Sequence, residues 1–156
     1  MLPPGTLYAT FDIRAGGSTP NEGVEVLDFD PDAIEYMDYL CSLEGYQGGG
    51  LTFTLPWSAT SATSGNVVWE IAIRRIQDDV TDIDTSHSYD YNSVTDGAAS
   101  ASGEVSYAVI TFTNGTDMDS WADGELAIVR VRRNATSGSD NMAGDAELWA
   151  IVGRET

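Results

Sequence analysis

The sequence predicts an all-β domain, a two-layer antiparallel sandwich, and three observations lead there. Apolar residues recur at every second position over many short runs. Clusters of Gly, Asn, Asp, Ser and Pro separate the runs and supply the backbone angles that chain reversals need. The 156 residues are 42% apolar, with four Trp, seven Tyr and four Phe, which suits one domain with one sizeable core and argues against wholesale disorder.

The runs appear in order along the chain. Leu7 to Ile13 reads as a strand with Leu7, Ala9, Phe11 and Ile13 on one face, and Val24 to Phe29 as a second. The stretch Asp32 to Leu40 follows Asp30-Pro31, a pair that could open a helix; Ile34, Tyr36 and Leu40 also fit a strand broken by Asp38, the preferred reading. Leu51, Phe53, Leu55 and Trp57 alternate with Thr52, Thr54, Pro56 and Ser58; Val67, Trp69, Ile71 and Ile73 alternate with Val68, Glu70, Ala72 and Arg74. Val105, Tyr107 and Val109 oppose Ala108, Ile110 and Phe112, so this strand is expected to be covered on both sides. Leu126, Ile128 and Arg130 oppose Ala127, Val129 and Val131, and Leu148, Ala150 and Val152 oppose Trp149 and Ile151. A helical turn is expected at Met118–Ala122, capped by Asp117 and ended by Gly124. With about eight strands and no βαβ unit, the pattern fits a sandwich of jelly-roll type over residues 1–156, with residues 1–6 a possible N-terminal arm.

Charge narrows the partners. Twenty-five acids face seven bases for a net charge of −18, and every base is Arg. Such a surface repels phosphates, so nucleic-acid binding is disfavoured. No apolar run approaches the ~18 residues needed to span a bilayer, and the start, Met1-Leu2-Pro3-Pro4-Gly5, carries no secretory signal, so no membrane partner is expected. The pair Arg74 and Arg75 and the cluster Arg130, Arg132 and Arg133 are candidate interface anchors, because a planar guanidinium suits protein contacts; pairing within the chain is the competing account. Trp57, Trp69 and Trp149 sit inside strand patterns and are expected in the core. Tyr89, Tyr91 and Trp121 are expected to be exposed and complete the interface set.

Catalytic chemistry is thin. Cys41 is alone, which excludes an internal disulfide, and it reads as a small buried apolar residue. The sole histidine, His87, lies in a polar loop, and no Gly-x-Ser-x-Gly elbow presents a serine. Asp78–Asp84 and Asp28–Asp32 are rich in oxygen ligands but lack the spacing of a calcium loop. Gly48-Gly49-Gly50 leads into a strand, with no Lys to meet a phosphate. No catalytic residue, metal or cofactor is therefore expected, and the chain reads as a non-enzyme.

The run from Gly48 through Leu51-Thr52-Phe53-Thr54-Leu55-Pro56-Trp57 to Val67-Val68-Trp69 resembles a pattern of small phage virion proteins. It is accompanied by Asp117-Met118-Asp119-Ser120-Trp121-Ala122-Asp123-Gly124-Glu125, the strand Leu126 to Arg133, and the ending Gly144 to Val152. The resemblance spans roughly residues 48 to 152. It implies a jelly-roll module on the capsid surface of a tailed-bacteriophage virion, a decoration (cement) protein, often a homotrimer, whose partners are the major capsid protein and its own copies. It also admits a head- or tail-fibre module recognising host glycans, and it carries no catalytic residues.

Overall fold

The computed structural model describes residues 7–19 and 21–156, so the arm expected at residues 1–6 lies outside the described residues. Among the described residues ten strands form: β1 (Thr10–Ala15), β2 (Gly23–Phe29), β3 (Glu35–Ser42), β4 (Leu51–Ala59), β5 (Asn66–Ile76), β6 (Asn92–Gly97), β7 (Ser106–Phe112), β8 (Leu126–Arg133), β9 (Ala146–Leu148) and β10 (Val152–Glu155). All strand pairs are antiparallel.

One sheet runs β1-β2-β9-β4, with β10 continuing the line of β9 beside β4 and β7 on the far side of β4. The other runs β3-β8-β5-β6. Sequence neighbours β2 and β3, β3 and β4, β4 and β5, β6 and β7, β7 and β8, and β8 and β9 lie in opposite sheets, which is the jelly-roll winding of two interlocked Greek keys. The ambiguous segment after Pro31 is strand β3. Its alternation puts Met37, Tyr39 and Cys41 inward, and β8 satisfies its backbone from Glu35 to Ser42.

The core lies between the sheets. Leu55, Trp57, Val67, Trp69, Ile71, Val129 and Val131 are fully buried, and Trp69 packs edge-on against both Phe29 and Trp57 at centroid distances of 5.1 and 5.9 Å. Each such large side chain contributes roughly 1.5–3 kcal/mol through removal from water. The indole N–H of Trp57 donates to Asp96 at 2.7 Å, so the aromatic core is also tied to β6.

Several expectations are corrected by tertiary context. Strand β1 starts later than expected, and of Leu7, Ala9, Phe11 and Ile13 only Ala9 is buried; Leu7, Phe11 and Ile13 are 54%, 67% and 62% exposed. The reason is position: β1 is the edge strand of a six-stranded sheet that faces one of four strands, so it overhangs an uncovered edge. Strand β7 buries Ala108, Ile110 and Phe112 but leaves Tyr107 and Val109 in solvent, so one face only is covered. Strand β6, with the polar sequence Asn-Ser-Val-Thr-Asp-Gly, has no apolar alternation to announce it; it forms because β5 offers it a ladder from Asn66 to Ile71. The single strand expected near the end is split into β9 and β10 around residues 149–151. The helical turn falls at Thr116–Met118, two residues upstream of the expected span. Asp117 lies inside it, accepting from the backbone N–H and hydroxyl of Thr113 rather than capping a later turn.

Candidate functional site

The outer face of the four-stranded sheet gathers most of the residues singled out by sequence. Along β8, Val129, Val131 and Arg133 point inward, so Arg130 and Arg132 point out. Register places Asp38 of β3 beside Arg130 and Glu70 of β5 beside Arg132. Arg130 donates through Nε and Nη2 to both oxygens of Asp38, each at 2.7 Å, and its guanidinium lies 3.9 Å from the Tyr36 ring centre and 4.0 Å from that of Tyr89. Arg132 pairs with Glu70 and sits 3.5 Å from the Tyr91 ring centre, while Asn134 donates to the other Glu70 oxygen. Arg74 is buried and donates to the Asp82 carbonyl, which pins the 77–91 segment across the sheet. Burial raises the Tyr89 phenol above its ordinary value, against the opposing pull of Arg130.

This layer is chemically quiet. Acids and arginines neutralise one another, and each ring of Tyr36, Tyr89 and Tyr91 gives a face to a guanidinium, a cation–π contact of ~0.5–1 kcal/mol at a partly wet site. Of the eight residues expected at an interface, Arg74, Arg130, Arg132, Tyr89 and Tyr91 share this face. The other three expected interface residues lie elsewhere. Arg75 pairs with Glu125 at the sheet rim. Arg133 is completely buried beneath β8, held by Asp140 and by the carbonyls of Phe29, Met142 and Gly144. Trp121, expected to be exposed, is 3% exposed and donates its indole N–H to the Glu125 carbonyl; with Met118 it closes one end of the core. Arg133 and Trp121 therefore offer no surface on the free chain.

Two concave features flank the core. The first opens between the end of β3, the start of β4 and β10, which pairs with β4. The cavity there measures about 490 Å³ and is walled by Tyr39, Cys41, Leu51, Phe53, Trp121 and Ile151. Cys41 is half-buried rather than buried, and its surroundings raise the thiol above its ordinary value, so the reactive thiolate is disfavoured. His87 lies against Tyr89, in the exposed loop and away from this cavity.

The second lies on the outer face of the six-stranded sheet and holds residues that sequence reasoning missed. Glu147 of β9, 3% exposed, accepts two hydrogen bonds from Arg14 Nη1 at 2.9 Å and one from the Ser58 hydroxyl at 2.7 Å. Ser58 in turn accepts from the Trp149 indole N–H at 2.9 Å. Asp28 sits directly opposite Glu147 across the β2–β9 pair. Burial pushes its carboxyl up to about 6, and the like charges of Glu147, Asp12 and Asp145 add to the shift. One Asp28 oxygen is buried without a hydrogen-bond partner. Trp149, expected in the core, instead lines a cleft of about 410 Å³ with Arg14, Glu22, Val24, Gly103 and Glu104. Leu148 faces the core, so alternation carries Trp149 to the outer face with Glu147; the indole alone suggests the core. An acid inside an apolar strand, as Glu147 is, is the signal that a polar partner waits on that face. Among the described residues, no group of three or more His, Cys, Asp or Glu side chains is arranged to hold a metal ion, and no helix is long and apolar enough to cross a membrane.

No family model and no curated protein matches the chain. Among solved structures it is similar to one described as TmCBM61 in complex with β-1,4-galactotriose, at 12% identity and a TM-score of 0.41, over 95% of this chain and 87% of that one.

Proposed function

We propose that the protein is a non-catalytic structural module of a tailed-bacteriophage virion, a capsid decoration protein that seats on the major capsid protein and associates as a homotrimer. The observation that carries the reading is where the uncovered apolar side chains lie. Phe11 and Ile13 project from the overhanging edge β1. On the outer face, Val109, Thr54 and Val152 form one row across β7, β4 and β10, with Tyr107 beside them. Contiguous apolar surface on an edge strand and a sheet face suits contact with other proteins, and an unprotected edge invites unwanted pairing unless something covers it. The net charge of −18 keeps free copies apart until a complementary surface is met.

The test is add-back. Heads stripped of the protein and then re-supplied with it should melt at a higher temperature, and the protein should sediment with them. A double substitution Phe11→Ser and Ile13→Ser, checked to remain folded, should abolish both effects. Failure of the unsubstituted protein to bind or stabilise heads would remove the proposal.

A further inference from the structure

We infer that the outer cleft around Trp149 is a binding site for a neutral sugar, one or two hexopyranose rings in extent. The inference goes beyond the assembly reading and does not depend on it.

Three features of the cleft support this. Its aromatic wall is fixed in place: the indole N–H is held by Ser58, Ser58 by Glu147, and Glu147 by Arg14, a chain of four residues linked by bonds of 2.7 to 2.9 Å. A rigid, partly exposed indole offers a flat apolar surface to the C–H face of a pyranose ring at little entropic cost. Arg14 uses Nη1 for Glu147 and for the Ala59 and Thr60 carbonyls, while Nε and Nη2 have no partner among the described residues. Its side chain is 25% exposed, and the backbone of Gly103 lies so close that a Cβ there would meet Nη2 at 2.5 Å. Glu22 and Glu104 supply carboxylate acceptors at the rim.

The ligand class follows from the combination. An anion would meet two rim carboxylates and a molecule of net charge −18. A quaternary cation would use the indole and the carboxylates but would leave the guanidinium donors unmet. A polyol both donates and accepts and has an apolar face, so it matches donors, acceptors and ring together. The volume, about 410 Å³, lies toward the lower end of the ~300–1,000 Å³ typical of small-molecule sites.

The experiment is ligand-observed NMR and calorimetric titration of the full chain with lactose, maltose and cellobiose. Sialyllactose and choline serve as the anionic and cationic comparisons. At least one neutral disaccharide should bind, and binding should weaken tenfold or more in Trp149→Ala. Because that substitution also removes a hydrogen bond to Ser58, Glu22→Ala is the second variant. Glu22 is exposed, so the thermal midpoint should be unmoved while affinity falls several-fold. Absence of binding by all three disaccharides would overturn the inference. So would binding that both variants leave unchanged, or a preference for sialyllactose or choline. None of these results bears on capsid add-back, so the two proposals fail separately.

Discussion

Replacing Arg133 with Met should be among the most damaging single changes in the protein. The guanidinium makes five hydrogen bonds: two to Asp140 at 2.8 and 3.1 Å, and one each to Phe29 O at 3.2 Å, Gly144 O at 2.9 Å and Met142 O at 2.8 Å. Met fills much of the same volume, so cavity cost is small and the loss is electrostatic. Asp140 is left 2% exposed with only the Val68 N–H donating to it, and a buried pair broken in this way costs about 3–5 kcal/mol. The three carbonyls lose a partner as well, although each has a second lone pair, which places the total toward the upper end of that range. Against a domain stability of ~5–15 kcal/mol, a third or more would be gone. Urea denaturation at neutral pH, followed by tryptophan fluorescence, measures it. The double variant Arg133→Met with Asp140→Leu removes the orphaned charge and should recover at least ~1 kcal/mol of the loss. A single-variant loss below ~1 kcal/mol, or a double variant weaker than the single one, would refute the reasoning that the pair is a coupled buried unit.

Other substitutions probe other parts of the fold. Asp28 has a folded pKa of about 6, above the ordinary 3.8, so the native state holds its proton more tightly than the unfolded chain. Its contribution is fully present below pH ~4 and is lost as pH rises through ~6. Asp28→Asn should therefore stabilise the protein at pH 8 by ~1 kcal/mol, discounted for partial exposure, with no gain at pH 3.5; paired thermal melts at the two values check this. Gly65→Ala forces a side chain into a backbone with φ +98° and places its Cβ 2.7 Å from the Met142 Cα, so a loss of ~2 kcal/mol or more is expected in denaturant titration. Trp57→Ala should cost about 3–5 kcal/mol by the same assay, since it empties the centre of the core and strips Asp96 of its donor. Cys41 should react with a thiol reagent more slowly in the folded protein than in urea at pH 8, because burial raises its thiol.

Where the alternation was strong and the strand central, the fold was legible. Trp57 and Trp69 are read as core from the strand pattern, and they are core. Legibility ended where a neighbour decides the outcome. Nothing in Phe11 or Ile13 says that the facing sheet leaves β1 uncovered, and nothing in Asn92–Gly97 says that β5 has an edge to fill. The candidate sites divide in the same way. The Arg130 and Arg132 cluster was visible because its members are adjacent in sequence. The Arg14–Glu147–Ser58–Trp149 chain was not, because its links join residues from opposite ends of the molecule.

The position of β9 and β10 governs how the chain reaches this state. Strand β9, made well after β2 and β4, occupies the middle of its sheet, wedged between them, where Leu148 faces Leu27 on one side and Trp57 on the other. Until it arrives, two strands made much earlier carry open ladders, and the half-built layer is vulnerable to capture by another nascent chain. Folding is then slow, as expected when pairing partners are far apart in sequence. Chains stalled before residue 146 should accumulate as aggregates rather than as soluble fragments.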